Sequence, residues 1–245
     1  MISIKNVTKS YGNTNVKAVD QLQLDIPSGQ IFGFLGPNGA GKTTTIKMIT
    51  GIIKPDSGDI EVDGISVTKD PLAAKQRIGY VPDSPEPYDR LTGLDYLRFI
   101  ADVYEVSAAE RQERLPELLQ TFGMEDAVSQ LIQSYSRGMK QKITLIAALL
   151  HQPSVWILDE PMVGLDPRAA RLLKEAMRAH CDQGHTVFFS THVLEVAERL
   201  CDQLAIIHGG KLIASGTMAQ LKQGKGEDVS DEKTLENLFL ELTER

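Results

Sequence analysis

An α/β fold with a mixed sheet, an N-terminal antiparallel β-subdomain and an inserted α-helical subdomain is what this sequence predicts, on three observations. The first is Gly36-Pro37-Asn38-Gly39-Ala40-Gly41-Lys42-Thr43, followed by Thr44 and Thr45, which matches G-x-x-x-x-G-K-[ST]. It stands between a short apolar run, Gln30 to Leu35, and a helical pattern from Lys42 to Gly51 with Ile46 and Ile49 on one side. The second is that the early strand candidates have connections too short for a crossover helix, so they pair antiparallel. The third is that no strand candidate occurs from Thr92 to about Gln152, so helices interrupt the sheet.

The chemistry of the loop is direct. Glycines let the backbone curl until several N–H groups face one anion, and the N-terminus of the following helix adds partial positive charge. Lys42 is then placed to reach the β- and γ-phosphates of a nucleotide, and the Thr43 hydroxyl to ligate Mg²⁺. The core is therefore expected to be that of a P-loop NTPase.

Taken in order, Ile2 to Val7 alternates with period two and reads as a half-buried strand, with Tyr11 following its end. Ala18 to Ile26 is a second strand, leading through Pro27-Ser28-Gly29 into the loop strand. Beyond the first helix, Lys54-Pro55-Asp56-Ser57-Gly58 is a turn, and Asp59 to Asp63 and Ile78 to Val81 are short strands. Pro82 to Tyr88 carries three prolines and is a loop. In the helical block, Leu94, Leu97, Phe99 and Ile100 mark one amphipathic helix. Leu115, Leu118, Leu119 and Phe122 mark a second, whose start Pro116 sets near Leu115. Ile143, Leu145, Ile146, Leu149 and Leu150 mark a third. Strands return at Val155–Leu158, Thr186–Ser190 and the hairpin Leu204–His208 with Lys211–Ala214. Helices are expected over Arg168–Cys181 and His192–Leu200. Gly224 to Asp231 is polar and expected to be mobile, and Leu235, Leu238, Phe239 and Leu242 space out a final amphipathic helix. That helix either caps the core or meets a partner. The expected division is a catalytic domain over 1–221, with its helical subdomain at about 92–152, and a linker and helix over 222–245.

Composition narrows the function classes. The net charge is −7 with the basic residues dispersed, which argues against a nucleic-acid partner and against charge-driven attachment to anionic lipid. The longest nearly unbroken apolar run, Ile143 to Leu150, is far short of the roughly 18–20 residues that cross a bilayer. Met1 to Lys5 reads as a strand rather than a signal peptide. Cys181 and Cys201 lack metal-like spacing and are expected as reduced thiols.

Val155-Trp156-Ile157-Leu158-Asp159-Glu160 puts two carboxylates at the C-terminal end of an apolar strand, the edge at which open parallel sheets bind ligands. Asp159 suits the Mg²⁺ side through its water shell, and Glu160 suits the task of orienting and polarising an attacking water.

With these residues placed, the chain resembles the ATP-binding subunits of ABC transporters, from Ile2 to about Ala219 and with the motifs in the family's order. The resemblance implies ATP and Mg²⁺ as cofactors. It implies that Tyr11 stacks on adenine and that Pro82-Asp83 couples the nucleotide to a membrane subunit, with Asp83 near the metal. Tyr135-Ser136-Arg137-Gly138-Met139 matches the family signature, Val163-Gly164-Leu165-Asp166-Pro167 the loop after the acidic pair, and His192 the switch histidine. His192 is then a catalytic partner of Glu160 and Lys42, and Asp166 joins the nucleotide site.

Ser136 and Gly138 precede a helix whose free N–H groups make a second anion site. One chain with one phosphate loop and one separate anion site implies, through the resemblance, a head-to-tail pairing with a second nucleotide-binding subunit, two ATP molecules being sandwiched between them. The family usually has Gln where Asp83 stands, and Leu, Gly and Gln where Tyr135, Arg137 and Met139 stand. The signature run looks more like the exporter branch than the importer branch.

The reading is an ATPase subunit of an exporter, peripheral on the cytoplasmic face of the cell membrane and partnered by an integral membrane permease. The expected docking groove lies near Asp83 to Phe99 and includes Tyr88 and Leu91. Two other readings remain open at this point: a soluble ABC ATPase acting on ribosomes or DNA, and a nucleotide sensor with little turnover.

Overall fold

The computed structural model describes residues 1–12, 16–223 and 235–243. The stretch expected to be mobile, 224–231, lies outside them. In chain order come β1 (Ile2–Ser10), β2 (Lys17–Ile26), β3 (Ile31–Leu35), α1 (Lys42–Ile49), β4 (Ser57–Val62), β5 (Ile65–Ser66), α2 (Pro71–Gln76) and β6 (Ile78–Val81). The helical block follows as α3 (Gly93–Val103), α4 (Ala108–Phe122) and α5 (Arg137–Leu149). The chain then returns with β7 (Val155–Asp159), α6 (Pro167–Asp182), β8 (Thr186–Thr191), α7 (Leu194–Leu200), β9 (Gln203–His208), β10 (Lys211–Gly216), α8 (Met218–Gln223) and α9 (Leu235–Thr243).

Two sheets frame the molecule. The antiparallel one runs β2-β1-β4-β5, and the mixed one runs β10-β9-β3-β8-β7-β6, with only the β9–β10 hairpin antiparallel among the described pairs. The mixed sheet is covered on both faces, so its strands carry apolar side chains throughout. Trp156, Leu158, Val187 and Phe189 face the side of α3 to α6. Val155, Ile157, Phe188, Phe32 and Phe34 face the antiparallel sheet and α1. Leu235 and Leu238 of α9 are buried with Leu35, Ala197, Leu204, Ile206 and Leu221, so this helix caps the core. Among the described residues, no helix is long and apolar enough to cross a membrane.

Three expectations change. The period-two pattern of Ile2 to Val7 slips: Ile4 pairs with Leu24 and Val7 with Leu22, so β1 carries one extra residue, a bulge at Asn6 (φ 50°) that returns Val7 to the buried face. Helix α4 begins far before Leu115. Ser107 accepts from the Glu110 N–H while the Glu110 carboxylate accepts from the Ser107 N–H, a capping box strong enough that Pro116 sits in the helix interior. Helix α7 starts at Leu194, which leaves His192 on the turn after β8. The segments β5, α2 and α8 were not expected from the sequence.

Candidate functional site

The C-terminal ends of β3, β6, β7 and β8 meet along one edge because these strands are parallel and in register. A cleft of about 200 Å³ opens there, lined by loop residues from Pro37 to Thr44 with Ala18, Asp83 and Glu160. The loop is held by close packing. A side chain on Gly36 would place its Cβ 2.4 Å from the Ile207 carbonyl oxygen. One on Gly41 (φ 108°) would lie 2.4 Å from that of Ala18. Only glycine fits either place. Buried Ala40 donates its N–H to the Pro37 carbonyl at 3.1 Å, which closes the curl.

Lys42, at the start of α1, is 7% exposed, and a cation so buried needs partners. Its Nζ donates to the Gly36 carbonyl at 2.7 Å and stands 3.6 Å from Glu160 Oε1. Asp159 ends β7 and is 1% exposed. Burial raises its carboxyl pKa above the ordinary value. Hydrogen bonds from the Ser190 and Thr43 hydroxyls oppose that shift, and the charges of Asp83 and Glu160 reinforce it. Burial likewise raises the Tyr80 phenol, and the nearby charges of Asp159 and Asp83 add to it, so Asp83 belongs electrostatically to the same site.

Glu160 takes a left-handed conformation (φ 48°), with its N–H donating to Ser190 Oγ at 3.0 Å. That geometry turns its carboxylate back over the cleft, where Oε2 lies 3.0 Å from His192 Nδ1. The Val193 N–H donates to Thr191 Oγ1 at 3.0 Å and fixes the turn carrying His192. Tyr11 is exposed, and its hydroxyl shares a 3.4 Å hydrogen bond with Thr44 Oγ1 at the first turn of α1.

Ser136, Gly138 and Asp166 do not line this cleft. Ser136 caps α5, its Oγ accepting from the Met139 N–H at 3.2 Å. The helix begins at Arg137, so Gly138, expected before it, lies in its first turn. Asp166 caps α6, accepting from Ala169 N–H at 2.9 Å. That bond holds the Asp166 carboxyl below its ordinary pKa. The two loops touch: a Cβ on Gly164 would lie 3.0 Å from Arg137 Nε. The departure at Tyr135 is absorbed by packing, since the ring is buried and its hydroxyl donates to the Ala127 carbonyl at 2.7 Å.

Sequence reasoning missed two polar residues. Ser190 bonds both acids, and buried Gln141 donates to the Pro161 carbonyl at 3.5 Å behind the acidic pair. The available signal for Ser190 was a Ser-Thr pair closing an apolar strand at the ligand edge.

Comparison with known proteins shows the family. Residues 19–163 match the family model described as ABC transporter. The chain is 37% identical over 243 residues, 99% of its length and 96% of the relative's, to the ABC-type transporter ATP-binding protein EcsA of Bacillus subtilis (strain 168). It is also 37% identical to the linearmycin resistance ATP-binding protein LnrL of the same organism, over 97% of this chain and 76% of the relative. A solved ATP-binding subunit of an ABC transporter superposes with a TM-score of 0.93 at 34% identity, covering 99% of both chains. A dimeric ATP-binding cassette in a post-hydrolysis state, bound to ADP and Pi, superposes with a TM-score of 0.80 at 25% identity, covering 89% of this chain and 98% of that one. Proteins of the matched family use ATP with Mg²⁺. A phosphate loop, a strand-end acid pair and likeness over the whole chain thus converge, and the chain belongs to the ABC transporter family, as an ATP-binding and ATP-hydrolysing subunit.

Proposed function

We propose that this subunit powers an exporter from the cytoplasmic face of the membrane, as a head-to-tail dimer on a separate integral membrane permease. The observation that carries the reading is the separation of two anion-ready sites on one chain. The Lys42 cleft is one, and the Ser136-capped start of α5, outside that cleft, is the other. Two copies, or this chain and a related one, facing each other bring each Ser136 and Gly138 over the nucleotide of the opposite cleft, with Asp166 beside them. The dimer described for the post-hydrolysis cassette supports the pairing, and the resistance named for the linearmycin relative supports export.

Within each cleft, loop N–H groups and Lys42 bind the phosphates, and Tyr11 at the mouth stacks on adenine. The oxygens of Thr43, Asp159 and Asp83 form the hard donor set that Mg²⁺ takes, and they stand in one site. When bound there, Mg²⁺ supplies charge neutralisation at the β- and γ-phosphates. Glu160 accepts the proton of the attacking water, and His192, 3.0 Å from its Oε2, positions that water with it.

The permease seat is an apolar groove of about 420 Å³ lined by Tyr88, Arg90, Leu91 and Phe99. Tyr88 and Phe99 are exposed and pack edge to face, their rings 5.7 Å apart. Exposed aromatics beside an Arg are the side chains that anchor interfaces. Asp89 within this segment pairs with Lys140 of α5 at 2.6 Å, which ties the groove to the helix that Ser136 caps.

The test is co-purification from detergent-solubilised native membranes. The parent chain is expected to bring down a polytopic protein. The Tyr88→Ser, Phe99→Ser double variant is expected to keep its basal ATPase and lose at least about tenfold in recovered partner, each anchor being worth roughly 1–2 kcal/mol or more. Undiminished recovery would place the seat elsewhere, and recovery of the parent only with ribosomes would end the transporter reading.

A further inference from the structure

Ser190 is fully buried in the last turn of pleat before the site, where β8 lies between β3 and β7. In register it sits beside Phe34 on one side and Asp159 on the other. Its single hydroxyl serves both acids: it donates to Asp159 Oδ1 and accepts the Glu160 N–H at 3.0 Å. A hydroxyl can do both at once, whereas an apolar residue in this strand can do neither.

Each bond has a distinct consequence. With Oδ1 taken by Ser190, the Asp159 carboxylate cannot rotate freely and is held toward the Thr43 hydroxyl. With its N–H taken, Glu160 is kept at φ 48°, a conformation that side-chain-bearing residues avoid unless the surroundings hold them there. The same strand end grips Glu160 a second time, through His192 at 3.0 Å from Oε2. Backbone and carboxylate of Glu160 are therefore both fixed, one from the end of β8 and the other from the turn that follows it.

We infer that Ser190 is a positioning residue of the hydrolysis site, setting the orientation of the Asp159 carboxylate and the backbone of Glu160 through one hydroxyl. The inference rests on the roles given above to those two acids. Ser190 touches no substrate. Its loss acts on the reaction step and on the Mg²⁺-dependent part of nucleotide binding, and spares the contacts of the phosphate loop.

The experiment compares the full chain with Ser190→Ala and Ser190→Thr, measuring kcat, KM, melting temperature and mant-ATP affinity in EDTA and in Mg²⁺. For Ser190→Ala, kcat is expected to fall about 10- to 100-fold, the scale of a misplaced catalytic group. Affinity in EDTA is expected to stay within about twofold of the parent, while the gain in affinity on adding Mg²⁺ shrinks. Ser190→Thr, which keeps the hydroxyl, is expected to hold most of the parental kcat. A kcat near the parent's in Ser190→Ala would overturn the inference. So would an equal loss in both variants, or an equal loss of affinity with and without Mg²⁺, since either describes a packing residue. Glu160→Gln measured in parallel separates the two levels. If that variant turns over at the parental rate, the role of Glu160 fails, while the hold on Asp159 is still read from the Mg²⁺-dependent affinity.

Discussion

Glu160→Gln is expected to lower kcat about 100- to 10,000-fold, the contribution of a positioned general base, while nucleotide stays bound. Gln is the same size and keeps a carbonyl oxygen for the hydrogen bond that Oε2 shares with His192 at 3.0 Å. The side chain is 14% exposed and bound at both ends, so the exchange leaves the cleft in shape. What disappears is the ability to take a proton from water. Trapped with intact ATP, the dimer should outlast the parental one. Phosphate release and gel filtration in ATP measure the two effects. Turnover at the parental rate would remove Glu160 from the mechanism.

Lys42→Ala attacks the earlier step. The Lys42 ammonium is the one cation lining the cleft among the described residues, and its partners within the protein are a carbonyl at 2.7 Å and the carboxylate of Glu160. Deleting the cation of a desolvated ammonium–phosphate pair costs about 2–5 kcal/mol, or roughly 30- to 4000-fold in nucleotide affinity. The variant should therefore fail to bind ATP at concentrations that saturate the parent. Titration with a fluorescent nucleotide checks this, and affinity within about threefold of the parent would mean that the loop N–H groups alone hold the phosphates. The two variants thus separate binding from hydrolysis.

The parts of the site that were legible in the sequence are those whose chemistry is contiguous. Gly36 to Thr43 announces itself because strand, glycines, Lys and helix follow one another. Asp159-Glu160 does so because the apolar strand before it fixes which sheet edge it meets. Ser190 was marked only by a Ser-Thr pair closing an apolar strand, and its meaning lies in a neighbour across the sheet that this local signal does not name. Gln141 was hidden for the same reason, its partner Pro161 being 20 positions away. In α4 two local signals conflicted. Pro116 marks a first turn, and Ser107 with Glu110 marks another, and the reciprocal bonds of the capping box prevailed over one missing N–H. The bulge at Asn6 was visible only as a phase error, Val7 falling on the wrong parity for Ile2 and Ile4.

The left-handed backbone of Glu160 carries a consequence for anyone reshaping this protein. At φ 48° an acidic residue with a long side chain sits where Gly or Asn is more comfortable, by an amount on the order of 1 kcal/mol. With the role proposed above for Glu160, thermostability and turnover make opposite demands at position 160. A library screened for heat resistance alone would enrich the residues that relax this backbone, and it would yield sturdier proteins that no longer hydrolyse ATP.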